Sequence, residues 1–274
     1  MNANKYAIFM DIDGTLLNSK HEIEPQTLKT LHALEQAGHY LFIATGRMAS
    51  SAKHIAEKIS TQTNFIASNG AMTHVRGEVI SHPLLLENAQ LIFKTATEFQ
   101  LPLFFFGENA VYHTDILPSY FKESADRERI ATGEKRAFHK LEDFAHIKEH
   151  HQKLINGIII SEDSQEKLLA AKKMLADYGS LNISSSAKNN IEITELNITK
   201  ASAIAEIIEL LEIRPEHTIA FGDGFNDIEM LEFVEHGVAM DNATDAVKKV
   251  AAHVTDSNND EGIHKFLSSF FKLG

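Results

Sequence analysis

Two carboxylates one residue apart follow the first apolar segment of the chain. Residues 6–10 form an apolar run typical of a buried strand in a parallel sheet, and Asp11, Asp13 and Gly14 come directly after it. Strand periodicity turns Asp11 and Asp13 to one side and Ile12 to the other. Ligands of open α/β sheets bind just outside the carboxyl ends of the strands, so both acids stand where such a fold does its chemistry.

Two other interpretations of this segment remain open at this point. An Asp-Gly pair often ends a strand in a solvated turn. A calcium loop also begins with Asp-x-Asp, and Glu22 falls at its twelfth position. That loop requires glycine at its sixth position, where this chain has Leu16, and it requires flanking helices. The segment by itself therefore favours a functional site over a turn, and it fits a calcium loop poorly.

A second acidic cluster follows another short apolar strand near the other end of the chain. Residues 218–221 run into Gly-Asp-Gly-Phe-Asn-Asp, which contains Asp223 and Asp227, and a helix-like segment comes next. If the two strands are neighbours, all four acids converge on one pocket. Carboxylates with an ordinary pKa of about 3.9 would repel one another there. A hard cation with oxygen ligands relieves this repulsion, and Mg²⁺ held by few carboxylates usually also meets a phosphate.

Two further polar features have the chemistry of a phosphate site. Thr45, Gly46 and Arg47 follow a third apolar strand and precede a helical segment, which suits an anion cradle, although an ordinary helix cap with a glycine turn fits equally well. Lys200 opens an amphipathic helix. A lone lysine there is usually solvated and is mildly unfavourable for the helix dipole, so a bound phosphate would account for it.

The elements that must position these residues alternate between strand and helix. Pro25 starts a helix that ends before Gly38, a strand runs to Ala44, a helix spans about 47–59, and a strand covers 65–67. Residues 72–75 begin a hairpin that leads out of the core. This pattern predicts an α/β fold, with a Rossmann-like parallel sheet flanked by helices.

The pattern changes between about Pro83 and Ala187. Strands are predicted at 103–106, 111–113, 157–160 and 181–184, with a helix at 165–178, which indicates an inserted α+β unit with an antiparallel sheet. The predicted division is therefore a core of residues 1–82 and 188–274 and an inserted domain of residues 83–187. The highly charged segment 125–151 supports no secondary-structure assignment.

Composition narrows the possible partners. The 274 residues carry a formal charge of −12, which argues against nucleic acid or an anionic membrane as the main partner. No cysteine is present, which excludes disulfides and thiolate chemistry and suits a cytoplasmic location. The N-terminal apolar run is too short for a signal sequence, and no stretch reaches the roughly 20 apolar residues of a membrane span. The oligomeric state is left open, a monomer included.

Histidines are frequent, and three of them lie close together. His146 and His150 have helical spacing and His151 follows, but the segment lacks the glutamate position of a zinc protease motif. A solvated helical face is the better interpretation.

The ordered motifs resemble those of a known family. The segments 11–15, 45–47, Lys200 and 222–227 are similar to the four motifs of the haloacid-dehalogenase-like (HAD) superfamily, and more narrowly to Cof-type phosphatases with a class IIB cap. Residues 68–71, 237–240 and 260–263 support the resemblance, which spans almost the whole chain. One departure is Ala201, which stands where members commonly have glycine after the motif lysine.

The resemblance implies Mg²⁺-dependent hydrolysis of a phosphomonoester through an aspartyl-phosphate. Asp11 would be the nucleophile and Asp13 the acid and base, while Asp227 would support a metal-bound water or orient Lys200. Mg²⁺ would be bound by Asp11, the backbone carbonyl of Asp13, and Asp223. The groups expected to hold the phosphate are the Ile12 amide, Thr45, the Gly46 amide, Lys200 and Asn226.

The inserted domain would be a cap that closes over the site and contacts the leaving group. The expected substrate is a small phosphorylated metabolite, such as a sugar phosphate, pyridoxal phosphate, FMN or a nucleotide. A sugar phosphomutase and a non-catalytic phosphate-binding regulatory protein are the alternatives.

Overall fold

The computed structural model of the protein describes residues 5–114, 137–185 and 188–273, which form two β-sheets with helices packed against them. The strands of these residues are β1 (Ala7–Met10), β2 (Tyr40–Ala44), β3 (Asn64–Ala67), β4 (Met72–Val75), β5 (Glu78–Ser81), β6 (Leu103–Phe106), β7 (Ala110–His113), β8 (Ala137–Lys140), β9 (Asn156–Ile160), β10 (Leu181–Ser184), β11 (Asn190–Glu195), β12 (Thr218–Gly222), β13 (His236–Ala239) and β14 (His253–Val254). The α-helices are α1 (Pro25–Gln36), α2 (Ala49–Ile59), α3 (Leu86–Phe99), α4 (Phe144–His150), α5 (Gln165–Tyr178), α6 (Lys200–Leu210), α7 (Ile228–Phe233), α8 (Asp245–Val250) and α9 (Gly262–Phe271).

The larger sheet has the strand order β14-β13-β12-β1-β2-β3-β4-β5. Its strands from β14 to β3 are parallel to their neighbours. The hairpin β4–β5 adds two antiparallel strands at one edge, and the chain leaves this sheet after β5. The predicted α/β class with a parallel sheet flanked by helices is confirmed.

Strand β1 lies in the middle of this sheet and is covered on both faces. Ile8 and Met10 belong to the apolar core on one face, whereas Ala7 and Phe9 belong to the core on the other. All four residues are buried, which explains why this strand is a continuous apolar run rather than an alternating one. Asp11 is therefore the first polar side chain at the carboxyl end of a fully covered strand.

The start of helix α6 is fixed by a reciprocal cap. The Thr199 hydroxyl accepts from the Ser202 amide at 3.2 Å, and the Ser202 hydroxyl accepts from the Thr199 amide at 3.0 Å. Such a capping box satisfies two amides that the helix itself leaves unpaired. It makes Lys200 the first helical residue and so sets the position from which its side chain projects.

The smaller sheet has the strand order β10-β11-β9-β6-β7-β8 and a core of its own. Its pairs are antiparallel except for β7 and β8, which are parallel. Ile92, Phe105, Ile159 and Leu175 belong to an apolar cluster beneath this sheet, separate from the clusters of the larger one.

Strand β11 changes the domain boundary predicted from the sequence. Asn190–Glu195 was assigned to the core after residue 187, but this strand pairs with β9 and β10 in the smaller sheet. We therefore propose that the inserted unit ends between Glu195 and Lys200. The sequence does not show this because the alternating run of residues 190–195 predicts a strand without indicating which strands it pairs with.

The charged segment that the sequence left unassigned is described in part. Residues 125–136 lie outside the described residues. Within the rest, β8 and α4 form, and the Asp143 side chain caps α4 by accepting from the Ala145 and His146 amides. The predicted helical spacing of His146 and His150 is confirmed, since both lie in α4.

Among the described residues, every helix is too short or too polar to span a bilayer.

The separate cores predict that the larger sheet folds without the inserted unit. Replacing residues 83–195 by a short Gly-Ser linker should leave a protein with a cooperative thermal transition, because the core clusters around β1 are retained. The measurement is a melting curve followed by circular dichroism, with the full chain as control. A non-cooperative transition in the excised protein, with a cooperative one in the full chain, would contradict the division into two separately folding units.

Candidate active site

The ends of β1 and β12 bring the two acidic segments together. These strands are parallel neighbours, with Met10 beside Phe221. The Asp11 amide donates to the Phe221 carbonyl at 3.0 Å, so the pairing continues to the first acid. A cavity of about 450 Å³ opens at this point, and its lining includes Asp11, Asp13, Thr45, Gly46, Asp223 and Asn226.

Lys200 is a buried cation held between two of the acids. Its Nζ lies 2.6 Å from Asp11 Oδ1 and 2.6 Å from Asp227 Oδ1, and its side chain is only 1% exposed. A buried ammonium requires paired charge and hydrogen bonds, and the two carboxylates supply both. The interpretation of Lys200 as a solvated lysine is therefore wrong. Ala201, the residue after Lys200, does not prevent the Lys200 ammonium from contacting Asp11 and Asp227.

Asp227 organises the loop that follows β12. Its side chain is fully buried, and Oδ2 accepts from the amides of Asp223 at 3.0 Å and Gly224 at 2.9 Å. Its other oxygen accepts from Lys200. Both carboxylate oxygens are thus engaged by protein donors, which suits an orienting role better than direct contact with a ligand.

Asp223 packs directly against the loop that follows β1. Its Oδ1 accepts from the Thr15 hydroxyl at 2.6 Å. Gly14 has a φ of +81°, and a Cβ at this position would overlap the Asp223 carboxylate. Glycine is therefore required there both for the left-handed backbone and for the close approach of the second acidic segment.

The electrostatics of this cluster show an excess of acid. Burial raises the pKa of Asp11 to about 8, with Asp227 and Asp223 adding to the rise and Lys200 opposing it. Burial also raises the pKa of Asp223 to about 6, against the hydrogen bond from Thr15. Burial alone would lower the pKa of Lys200, but Asp11 and Asp227 raise it above its usual value. One ammonium therefore does not neutralise the three carboxylates.

The donor set fits a divalent metal ion. Carboxylate oxygens of Asp11, Asp223 and Asp227 lie within 4.8 Å of one another. A second cation among them would favour the ionised form of each acid, and oxygen donors suit a hard ion. Since both oxygens of Asp227 are engaged by the protein, Asp11 and Asp223 are the side chains that could hold it.

Asp13 lies apart from the buried Asp11 and Asp227 and the half-buried Asp223, at the mouth of the cavity. Its side chain is 55% exposed and forms a bidentate ion pair with Arg47, whose Nε donates to Oδ2 at 2.7 Å and whose Nη2 contacts Oδ1. Of the four acids expected in one pocket, Asp11, Asp223 and Asp227 therefore form one cluster. Asp13 lines the same cavity, but its charge is neutralised by Arg47. The reason is that the Asp13 side chain points outward, where Arg47 reaches it.

The loop after β2 meets the loop after β3. The Thr45 side chain is buried, and its hydroxyl accepts from the Arg47 amide at 3.1 Å. The Thr45 carbonyl accepts from the Asn69 amide at 3.0 Å. A Cβ at Gly46 would lie 3.0 Å from Asn69 Oδ1, so an amino acid with a side chain would crowd this contact.

Asn69 joins three parts of the site. It lies in the short 3₁₀ segment Ser68–Gly70 with a φ of 53°. Its Oδ1 accepts from the Asn226 side chain at 3.1 Å, and its Nδ2 donates to Glu192 of β11 at 2.6 Å. One asparagine thus connects the loop after β12 with the smaller sheet.

The structure brings most of the predicted site residues to this cavity. Lys200, Asp227 and Ile12 are not among the residues that line it, although Lys200 contacts Asp11, which does. The prediction for Ile12 concerns its backbone amide; its side chain is buried in the core, and its carbonyl accepts from the Thr15 and Leu17 amides. The contacts of Ile12, Thr45, Gly46, Lys200 and Asn226 with a phosphate stay a prediction.

Sequence reasoning missed three participants: Arg47 as the partner of Asp13, Asn69 as a connector, and Glu192. The Ser68-Asn69-Gly70 turn at a strand end was a usable signal for Asn69. No sequence signal pointed to Glu192, since it is one polar residue of an ordinary alternating strand.

Comparison with known proteins identifies the family. Residues 8–267 match a family that is described as haloacid dehalogenase-like hydrolase. This protein is a member of that family, and it is a phosphatase. The resemblance inferred from the motifs is therefore confirmed.

Three similar proteins cover almost the whole chain. YkrA of Bacillus subtilis is 32% identical over 260 residues, which cover 93% of this chain and 94% of YkrA. The 5-amino-6-(5-phospho-D-ribitylamino)uracil phosphatase YitU of Bacillus subtilis is 27% identical, with 100% of both chains covered. The HAD subclass IIB sugar phosphatase BT4131 has a TM-score of 0.81 at 26% identity, covering 97% of this chain and 99% of that one.

The donor set predicts different effects of two substitutions on metal-induced stabilisation. A ligand at 100 times its dissociation constant adds roughly 2.7 kcal/mol. Asp223→Asn removes one of the two side chains that could hold the ion and should reduce the rise in melting temperature that Mg²⁺ produces, whereas Lys200→Ala should keep that rise while lowering the stability of both forms. Melting curves with and without Mg²⁺ test this. Equal Mg²⁺ shifts in wild type and Asp223→Asn would remove Asp223 from the metal site.

The raised pKa of Asp11 predicts that metal binding releases a proton. The ionised carboxylate binds the cation, so a group with a pKa of about 8 must lose its proton first. The apparent affinity for Mg²⁺ should therefore rise by up to about tenfold per pH unit between pH 6 and 8. Titration calorimetry at several pH values measures the Mg²⁺ affinity. An affinity independent of pH between pH 6 and 8 would contradict the prediction.

Proposed function

We propose that this phosphatase hydrolyses phosphomonoesters of small metabolites through an aspartyl-phosphate on Asp11, with Mg²⁺ as its cofactor. The observation that carries the proposal is the buried contact of Asp11 with Lys200, at the edge of a cavity that also contains Asp223 and the Thr45-Gly46 loop. A carboxylate fixed by an ammonium and facing a polar cavity is suited to attack an electrophile.

Asp11 and Asp223 are the side chains that would hold Mg²⁺, together with the backbone carbonyl of Asp13. When bound, Mg²⁺ reduces the repulsion between a carboxylate nucleophile and an anionic phosphate. Asp227 keeps Lys200 and the Asp223 amide in place, so the nucleophile and its charged neighbours are positioned before substrate arrives.

Asp13 is the proposed acid and base. In the first step the Asp11 carboxylate attacks phosphorus and the ester bond breaks, while Asp13 gives a proton to the leaving oxygen. In the second step Asp13 takes a proton from the water that attacks the aspartyl-phosphate, which releases inorganic phosphate and restores Asp11. The ion pair with Arg47 must open for this, because both carboxylate oxygens of Asp13 accept from Arg47 and neither is available to the leaving group.

The inserted unit is proposed to contact the leaving group. The cavity that contains the acids is also lined by residues of the smaller sheet, among them Phe106, Ile158, Ile160 and Glu192. A sugar phosphate or a cofactor phosphate fits a cavity of this mixed character. The relatives support this range, since one is named for a ribitylaminouracil phosphate and another as a sugar phosphatase. The expected cytoplasmic location stays a prediction.

The nucleophile assignment predicts that Asp11→Asn abolishes turnover while the fold remains. An amide has nearly the same shape but does not attack phosphorus, and its introduction removes one of several crowded acids. Release of phosphate from p-nitrophenyl phosphate in the presence of Mg²⁺ measures the effect. Asp177→Asn, at an exposed position of α5, is the matched control and should keep wild-type activity.

Activity of Asp11→Asn within about tenfold of wild type, a difference of about 1.4 kcal/mol in transition-state stabilisation, would rule out Asp11 as the nucleophile. A melting temperature close to that of wild type shows that any loss of activity is chemical.

A further inference from the structure

A second cavity lies at the opposite edge of the larger sheet from the catalytic acids. Its volume is about 450 Å³, and its lining includes Lys5, Tyr40, Asn64 and Arg76. These residues lie before β1, at the starts of β2 and β3, and after the antiparallel β4. Strand β2 has five residues, so at about 3.3 Å per residue its two ends are roughly 15 Å apart. This cavity is therefore distinct from the active site.

Two cations converge on one aromatic ring in this cavity. Lys5 Nζ lies 5.6 Å from the centre of the Tyr40 ring, and the central guanidinium carbon of Arg76 lies 5.3 Å from it. Arg76 Nη2 also donates to the Tyr40 hydroxyl at 2.5 Å. Gly38 leaves room for Lys5, since a Cβ there would crowd the lysine side chain at 3.2 Å from Cε. One tyrosine therefore brings two positive charges to the same place.

The charge of these two residues is only partly balanced within the cavity. Among the described residues, neither Lys5 nor Arg76 forms an ion pair with a carboxylate. The carboxylate in the described lining is Glu35, whose Oε1 accepts from the Ser60 hydroxyl at 2.6 Å. A cation–π contact attracts a cation but leaves its charge in place. The cavity therefore keeps an excess of positive charge in a protein whose formal charge is −12.

The same excess of positive charge acts on a neighbouring histidine. His39 lines the cavity, and its Nδ1 accepts from the Tyr6 amide at 3.0 Å, so this nitrogen carries no proton. Burial lowers the pKa of His39, and Lys5 and His217 lower it further. The surroundings of this histidine thus disfavour another cation and would be stabilised by an anion.

Arg76 occupies a backbone position that is unfavourable for arginine. Arg76 and Gly77 form the two-residue turn between β4 and β5, with φ values of 51° and 84°. A hairpin turn with positive φ at both positions favours Asn-Gly. The Asn64 side chain holds this turn by accepting from the Arg76 amide at 2.9 Å. Such strained residues are concentrated at sites that bind ligands, so the position indicates a use for the arginine side chain.

We infer that this cavity is a second anion-binding site, which takes a small oxyanion with two negative charges, either as a free ion or as the phosphate group of a metabolite. The Arg76 guanidinium can donate to two oxygens of one anion, and the Lys5 ammonium supplies the second positive charge. Thr61 and Gln62 line the same cavity and are exposed, so they can add neutral donors. The inference is independent of the proposed hydrolysis, because it uses none of the catalytic residues.

Titration calorimetry with sodium sulfate tests this inference on the full chain. The buffer is freed of divalent metal by a chelating resin and kept at constant ionic strength, since salt screens exposed charges. The wild type should show saturable sulfate binding. Lys5→Gln and Arg76→Asn each remove one of the two cations and should lower the affinity by about tenfold, equivalent to about 1.4 kcal/mol. Lys94→Gln, which removes the same charge from an exposed position of α3, is the control and should keep the wild-type affinity.

The Arg76→Asn variant separates the loss of binding from a loss of folding. Asparagine is favoured at this position of the turn, so the variant should melt at or above the wild-type temperature while its affinity for sulfate falls. A second titration with phenylphosphonate, which carries the dianion on an organic group, distinguishes the two sources. Weaker binding than that of sulfate would assign the site to the free ion, and equal or tighter binding to a phosphorylated metabolite.

Two results would overturn the inference. One is the absence of saturable sulfate binding in the wild type. The other is wild-type affinity in both Lys5→Gln and Arg76→Asn, because the anion would then lie elsewhere, for example beside Lys200. Neither result bears on the proposed hydrolysis, which is measured separately by the release of phosphate from p-nitrophenyl phosphate.

Discussion

The contact of one buried ammonium with two carboxylates is the constraint on which the site depends. Lys200 comes from the start of α6, Asp11 from the end of β1, and Asp227 from the loop after β12, so the triad joins segments that are far apart in the sequence. Removing the Lys200 ammonium would leave both carboxylates without their cation, and breaking a buried ion pair in this way typically costs about 3–5 kcal/mol. Folding of the larger sheet and assembly of the site are therefore one process.

The same triad leaves the site short of positive charge. Asp223 is held next to it by Thr15 and by the absence of a side chain at Gly14, which adds a third carboxylate that Lys200 does not contact. The raised pKa of Asp11 is the direct consequence of this crowding and of burial. A divalent cation would relieve this crowding, so the affinity of the cluster for such an ion would depend on how tightly the loops pack.

The sequence predicted the parts of this arrangement that depend on local pattern. An apolar run ending in Asp11 predicts both a buried strand and the end of the sheet where the acid lies, and the same holds for β12 with Asp223. The ion pair of Asp13 with Arg47 and the contact of Asn69 with Glu192 depend on tertiary placement and side-chain direction, which no local pattern carries. The pairing of β11 with β9 and β10 is tertiary in the same way, since an alternating run predicts a strand but not its neighbours.

The connection between β11 and α6 separates the smaller sheet from the buried lysine. The smaller sheet is tied to this connection through Ile198, whose carbonyl accepts from Thr194 at 2.8 Å and from Asn182 at 3.1 Å. The cap at Thr199 then fixes the start of α6 independently of the sheet. Lys200 therefore keeps its position because the cap and the two carboxylates determine it, whatever residues the smaller sheet carries.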